Sequence, residues 1–537
     1  MKNMWPPQDQ VLSYLKREAS APLVTDMQIE VAIIGGGIAG LSAALECVKQ
    51  GKKVAVFEQY YCGSGATGKS SGFVTPNAEL SLTDFTKRFS LQDAGKIWNF
   101  ISGGVESVRS NIQDYTLDCG YAPARTLMVA SSKSAFKTFA IEHEHLQKLG
   151  LKSELYDAKG VRNHIGSEGY FGGVAYDDTF GMDAYAYCQE MKKQLQSLGA
   201  LIFEETPVTA INNHTVSTAR AQITADNIIV CTDRFMPDLN ILPQDVFHAQ
   251  TYVMASQQLT DDQIHAIFPK EKLMVWDSEL LYNYFRMTAD NRLLLGGGEL
   301  WTTYASKETH GNSRMVKKLT NSFRKKFPQV DIQFEYMWPG LMGLSKDIAP
   351  MAGPDKDFKH IYYIAACAGL PIAAAFGKYS AQHLFEGRTD MDGYFSPYRS
   401  FPIGGRLQSV LGNKLSFALC NVLKKAVEFY KKLGIPQKFH LEGKWAEFDL
   451  GCVKIGLCPT DQVQDNVRTG VVFEVMEDLL ALHKKLQAEG VTFVNEPVVA
   501  PHGVMVGIKD PGGNVLDLYQ ATPEKLQEFA QKAAETK

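Results

Sequence analysis

Ile29–Ile34 (IEVAII) is a β-branched apolar run interrupted only at Glu30, the pattern of a strand covered on both faces. Ile38, Leu41, Leu45 and Val48 then recur at helical spacing, and Gly51 ends that helix. Lys53–Phe57 reads as a second strand, with Glu58 at its end. Much later, Ile361–Phe376 (IYYIAACAGLPIAAAF) is an apolar stretch of sixteen residues. It is shorter than the ~20 residues a bilayer needs, and Gly369 and Pro371 break it. It predicts a buried strand, a turn and a helix start. Ser396–Gly412 carries Pro and Gly pairs and reads as a linker. Beyond it the pattern changes. Leu415–Cys420 reads as a strand, Val422–Leu433 as an amphipathic helix ended by Gly434, and Ala446–Leu457 as strands. The same order follows with a strand at Val471–Val475, a helix at Leu479–Ala488 ended by Gly490, and strands to Tyr519. These are two βαβββ halves of an internal duplication. In the second, Asp510–Asn514 (DPGGN) supplies a hairpin turn.

Composition narrows the classes. A chain of 537 residues asks for two or three cores, and 45% hydrophobic residues exclude a disordered chain. The net charge of −4 offers no basic excess for nucleic acid or an anionic membrane, so a small-molecule partner is expected. Nine cysteines are scattered without a CxxC pair, and Cys47, Cys231, Cys367 and Cys420 sit in apolar runs. Reduced, buried thiols in a cytoplasmic protein are expected. The first twenty residues lack the apolar centre of a signal peptide. Glu142–His145 (EHEH) resembles a metal string, but it falls in a helical pattern where i and i+2 diverge, so a solvated helix is expected.

The first strand–turn–helix unit carries the clearest chemistry. Gly35, Gly37 and Gly40 form GxGxxG, and Glu58 follows 23 residues after Gly35. Gly35 permits the tight turn, Gly37 lets the backbone approach a pyrophosphate, and Gly40 lets helix and strand pack closely. The N–H groups at Ile38, Ala39 and Gly40 open the helix toward anionic oxygens. Glu58, followed by Gln59, can accept both ribose hydroxyl protons. Strand, helix, second strand and terminal acid together predict dinucleotide binding. The loop that follows, Gly63–Val74, is built of small residues that let backbone run close to a flat ring system.

This loop, Gly65-Ala66-Thr67-Gly68-Lys69-Ser70-Ser71-Gly72, resembles the flavin loop of the D-amino-acid-oxidase-like (DAO) superfamily of FAD-dependent amine oxidoreductases. The gamma-glutamylputrescine oxidase-like branch, with GASGRNGG, is the most similar. Further segments resemble the family in order: Gly181–Ala184, Glu204–Ala210, Ala225–Asp233, Tyr284–Gly298, Trp338–Gly353 and Tyr362–Gly377. The likeness spans about Met27 to Arg388. It implies FAD held noncovalently, since the loop has no His or Cys for attachment. It implies contacts from Gly35, Gly37, Ile38, Ala39, Gly40, Glu58, Gln59, Gly65, Ala66, Thr67, Lys69, Ser70, Ser71, Gly72, Val208, Cys231, Thr232, Gly340, Gly369, Leu370, Pro371 and Ile372. Cys231-Thr232-Asp233 replaces the family's small A-[TG]-G.

The resemblance implies oxidation of an amine, with hydride passing to flavin and O2 or another acceptor reoxidising it. The Arg that amino-acid oxidases place near W-x-G is missing from YMWPGLMGLSKDIAP, so an α-amino acid is disfavoured. Tyr284, Arg286 and Lys346 are the catalytic or flavin-proximal candidates. Tyr282, His248 and Tyr252 are weaker ones. Phe429-Tyr430…Leu433-Gly434 and the DPGGN turn resemble the vicinal-oxygen-chelate (glyoxalase and bleomycin-resistance) family. That family's four ligand positions fall near Ser416, Gly456, Gly470 and Asp517, of which only Asp517 ligates well, so no metal is expected. Asp517 reads as a solvated strand end. Modules of that family often pair, which leaves a homodimer open.

The expected fold is α/β plus α+β. A Rossmann-type FAD-binding subdomain interleaves with an antiparallel-sheet substrate subdomain, and a βαβββ-duplicated vicinal-oxygen-chelate domain follows. The limits are 1–26 for an N-terminal extension, 27–395, a linker at 396–412, 413–522, and a tail helix at 523–537. Two alternatives stay open: a bifunctional enzyme whose second domain processes the aldehyde product, and a non-catalytic flavin-bound sensor.

Overall fold

The computed structural model describes residues 18–77, 79–279, 282–298 and 313–401, and beyond them Phe417 and segments 437–441, 445–449, 454–457, 468–475, 478–500, 503–510 and 515–521. It divides into two compact units, Met1–Ser131 with Thr138–Gly405, and Ser132–Lys137 with Arg406–Lys537.

In the first unit, β1 (Met27–Ile34) lies between β2 (Val54–Phe57) and Gln222–Val230, parallel to both. Parallel neighbours need a crossover, and α1 (Ile38–Lys49) provides the one between β1 and β2. All of β2 and the C-terminal half of β1 are buried, which is why apolar residues stand at every position. Leu201–Phe203 extends the sheet beyond β2, and Thr215–Thr218 and Val208–Asn212 extend it on the other side. The glycine turn therefore opens at the carboxyl end of a central strand, where open α/β sheets bind ligands.

The second sheet has eight strands, largely antiparallel. β3 (Val246–Gln258) pairs with Arg292–Gly297, which pairs with β4 (Tyr284–Met287); β5 (Phe334–Ser345) lies on the other side of β3. Side chains alternate between its faces. Tyr252, Met254, Phe285, Leu293, Leu295 and Met337 join one core with Met315, Leu319 and Phe323 of the helix Ser313–Lys326. Val253, Ala255 and Leu294 form a separate cluster with Tyr284, Tyr336 and Trp338.

The sixteen-residue apolar run resolves into β6 (Ile361–Ala365), a turn, and α2 (Leu370–Glu386). β6 joins the first sheet, parallel to Gln222–Val230. α2 packs so closely on α1 that a Cβ at Gly377 would stand 2.2 Å from the Ala39 carbonyl oxygen.

The second unit holds a three-stranded antiparallel sheet, Gln437–Leu441, Trp445–Asp449 and Lys454–Leu457. It also holds a five-stranded one built around Arg468–Glu474, Val515–Ala521 and Gly503–Lys509. The helix Leu479–Ala488 contributes Leu479 and Leu486 to a core with Val506, Ile508 and Leu518. The expected helix at Val422–Leu433, the linker and the tail helix lie outside the described residues, apart from Ser396–Phe401. Within the expected strand Leu415–Cys420, Phe417 is helical and fully buried. A short unbroken apolar run has no period that separates a strand from a buried helix.

Two further expectations are corrected. Glu142 is not solvated: it is 2% exposed, and its carboxylate accepts the Leu82 and Thr83 N–H groups at 3.0 and 2.7 Å. It caps the helix Leu82–Thr86, a contact no local pattern encodes. Asp517 is also buried, because it stands inside a strand in register with Gly507 and Val472. Among the described residues no helix is long and apolar enough to cross a membrane.

Candidate cofactor and active site

β1 ends in the turn Gly35-Gly36-Gly37. Gly35 has φ +109°, and a Cβ there would meet the Cys231 carbonyl oxygen at 2.6 Å. A Cβ at Gly40 would stand 1.9 Å from the Gly35 carbonyl oxygen. Both glycines are thus required by chain-to-chain approach. Gly37 caps α1 without a side-chain hydrogen bond, and no acid stands in the first turn. The positive end of the helix is left open to an anion. Glu58, 8% exposed, turns back to the same turn: its oxygens accept Gly36 N at 2.7 Å and Tyr60 N at 2.9 Å. Burial pushes its carboxyl above the ordinary range, against the pull of those donors. Two carboxylate oxygens offer about four acceptor sites, so room remains for ribose hydroxyls.

The small-residue loop folds over this turn. Gly63 N donates to Gly36 O, and the Thr67 hydroxyl accepts Ile38 N at 3.2 Å at the mouth of α1. Gly72 and Met182 lie back to back, with Met182 N donating to Gly72 O and no space for a Cβ at Gly72. Arg286, from the outward face of β4, fixes the loop's end. Its guanidinium donates to the carbonyls of Ser71, Met182 and Met287. Burial lowers its pKa to about 10, with Asp183 acting against that, and it stays cationic at neutral pH. Trp338 of β5 fixes the middle of the loop by donating Nε1–H to Lys69 O at 2.9 Å. A Cβ at Gly340 would only touch Lys69 and Thr251, at 3.8 Å. Gly65 and Ala66 are half-buried at the loop's start, and Ser70 accepts Gly72 N.

On the far side, Gly369 (φ +130°) begins α2 without a side-chain cap, and Leu370, Pro371 and Ile372 form its first turn, again without an acid. Thr232 Oγ1 is buried with no hydrogen-bond partner among the described residues. Next to it, Asp233 accepts Gly343 N at 2.6 Å and Ala366 N at 2.9 Å, tying Gln222–Val230, β5 and β6 together. Val208 begins its strand half-buried, and Gln59 is half-buried beside Glu58.

Tyr284 stands on the outward sheet face beside Phe73, the residue after Gly72, with ring centroids 6.0 Å apart. Burial pushes its hydroxyl up to about 12, so it stays protonated at neutral pH. Tyr282 lies 5.7 Å from Tyr284 and donates its hydroxyl to Glu79. Lys346 pairs with Asp245 at 2.8 Å and lies over the Phe401 ring. His248 stacks on Phe247, and Tyr252 belongs to the opposite, helix-covered core.

An anion site at each of two uncapped helix ends, a buried carboxylate beside the first, and an unpartnered hydroxyl suit a diphosphate-linked flavin. Residues 30–383 match the family model described as FAD dependent oxidoreductase (DAO). The chain belongs to the FAD-dependent oxidoreductase family. Residues 417–518 match the Glyoxalase/Bleomycin resistance protein/Dioxygenase superfamily. Gamma-glutamylputrescine oxidoreductase of Escherichia coli is 28% identical over 70% of this chain and 88% of its own. The probable oxidoreductase OrdL of Haemophilus influenzae is 25% identical over 66% and 81%. Among solved structures, L-proline dehydrogenase from P. horikoshii has TM-score 0.60 at 17% identity, covering 70% of this chain and 98% of that one. Glycine oxidase from Geobacillus kaustophilus has TM-score 0.60 at 16% identity, covering 70% and 99%. The protein is an FAD-dependent oxidoreductase.

In this FAD-dependent oxidoreductase, the glycine turn, Glu58, the small-residue loop and Arg286 come together. Lys346 is held by Asp245. Sequence reasoning missed Asp233 and Glu79. Asp233 carried a visible signal, an acid where the family has a small residue. Glu79 carried none.

Proposed function

We propose that the chain oxidises a C–N bond of a small amine and that its substrate is not bound through an α-carboxylate. The observation that carries this reading is the engagement of Arg286. Its three nitrogens each donate to a backbone carbonyl, so the one arginine expected near the substrate holds the flavin loop instead. Bound noncovalently, FAD supplies the hydride acceptor, and O2 or another carrier takes the electrons onward. The amine loses hydride from its α-carbon and a proton from nitrogen; water then adds to the imine to give a carbonyl compound and release the amine nitrogen.

The residues of this chain bind, orient and exclude water. The open end of α1 would hold the pyrophosphate and Glu58 the ribose. Trp338 and Arg286 fix the loop from two strands, so the ring system meets a preset surface. Trp338, against the flavin loop, gives an aromatic wall that favours an uncharged amine. Tyr284, protonated at neutral pH, serves as a hydrogen-bonding wall rather than a base. The C-terminal domain is proposed to act without a metal, since Gly456 and Gly470 bring no ligating side chain to the positions where that family has ligands. Domain limits of 27–395 and 413–522 and a cytoplasmic location complete the proposal; the free cysteines Cys47, Cys62, Cys119 and Cys188 fit a reducing compartment.

The test is anaerobic mixing of the yellow holoprotein with a panel of amines and α-amino acids. Loss of the flavin band near about 450 nm with amines is expected. Bleaching by α-amino acids alone, or a colourless protein that takes up no FAD, would overturn the proposal.

A further inference from the structure

Glu79 stands half-buried beside the outward face of the second sheet. Its Oε1 accepts the Tyr282 hydroxyl at 2.5 Å; no other hydrogen bond and no ion pair reaches it among the described residues. Desolvation pushes its carboxyl up, against the Tyr282 hydrogen bond. A carboxylate taken from water without a cation is costly, so such an arrangement persists where a ligand supplies the charge. The neighbours are aromatic. Tyr282 and Tyr284 lie 5.7 Å apart, Tyr284 meets Phe73 at 6.0 Å edge to face, and Phe73 meets Trp276 at 5.6 Å. Aromatic faces beside a carboxylate form a site for an ammonium group. Phe73 directly follows Gly72, so Glu79 stands two ring contacts from the end of the flavin loop.

That separation decides which ammonium it serves. The nitrogen whose α-carbon loses hydride must be uncharged, and a carboxylate beside it would hold its proton. We infer that Glu79 anchors a second, non-reacting ammonium group, and that the enzyme takes α,ω-diamines or other amines with a distal cation. This rests on the proposed amine oxidation and names its substrate class.

The experiment compares α,ω-diamines of four to six carbons with monoamines of the same length, using the holoenzyme. The wild type should prefer the diamine in kcat/KM. Glu79→Gln should lower kcat/KM for the diamine by about ten-fold or more and change the monoamine little, with the flavin-to-protein absorbance ratio retained. Tyr282→Phe keeps the carboxylate and should lower the preference less; it also carries the test if Glu79→Gln loses FAD. No diamine preference in the wild type, or equal loss for both amines in the variants, would overturn the inference while leaving amine oxidation standing. Calorimetric binding separates the two the other way. Glu79-dependent diamine binding to a protein that no amine bleaches would support the subsite and sink the oxidase reading.

Discussion

The entry to the flavin loop hangs on a buried ion pair, and removing its charge is expected to release FAD. Glu204 is fully buried and Lys192 is 1% exposed. Glu204 accepts Cys62 N at 2.8 Å, Ser20 N at 2.9 Å and Lys192 Nζ at 3.2 Å. Cys62 immediately precedes the loop, and its carbonyl accepts Gln189 Nε2 at 2.6 Å. Glu204→Gln leaves the ammonium buried without a counter-charge, at a cost of about 3–5 kcal/mol. Adding Lys192→Met removes that charge as well. The double variant keeps an acceptor for Cys62 N and should regain about half of the loss or more. Urea titrations would follow flavin release by fluorescence and the fold by circular dichroism. The single variant should release FAD at clearly lower urea than the wild type, and the double variant should lie between them. A double variant as unstable as Glu204→Gln, or a single variant costing under about 1 kcal/mol, would refute the reasoning.

Gly40→Ala would place its methyl 1.9 Å from the Gly35 carbonyl oxygen, which must shift α1 off β1. The purified variant should carry little FAD by absorbance; full occupancy would contradict the close-packing account. Arg399 grips Asp347 with Nη2 at 2.7 Å and Nε at 3.0 Å. Burial would raise the Asp347 carboxyl, but Arg399, Ser345 and Arg88 outweigh it and hold it below its ordinary range. A folded pKa below the unfolded value of about 3.9 means the contribution is present above that pH and is lost as pH falls through the folded value. The urea-midpoint gap between wild type and Arg399→Met should therefore narrow below about pH 4 and survive in part, because Arg399 also donates to Ala349 O and Pro350 O. A gap independent of pH would exclude the ion pair as its source.

The parts legible in the sequence share one property: their cause lies within a few residues. The β1–turn–α1–β2 unit is set by an apolar run, three glycines and a helical period, and the structure places β1, α1 and β2 within two residues of the reading. The Ile361–Phe376 run could be resolved as strand, turn and helix because Gly369 and Pro371 punctuate it. The second half of the C-terminal duplication was legible for the same reason: Gly490 closes its helix and the strands alternate around it.

What escaped depends on partners far along the chain. Glu142 looked like any polar residue of an amphipathic helix, and only the N–H groups of Leu82 and Thr83, sixty residues upstream, make it a cap. The sequence marks Arg286 only as a catalytic or flavin-proximal candidate. The alternation of β4 settles which face it occupies, because Phe285 and Met287 fill the helix-covered core and leave Tyr284 and Arg286 outward. What Arg286 meets there is set by backbone far along the chain, the carbonyls of Ser71 and Met182. Under the proposed function, then, Arg286 positions the cofactor loop rather than the substrate, and the inferred role of the Glu79 carboxylate is to supply the charge for substrate recognition on that face.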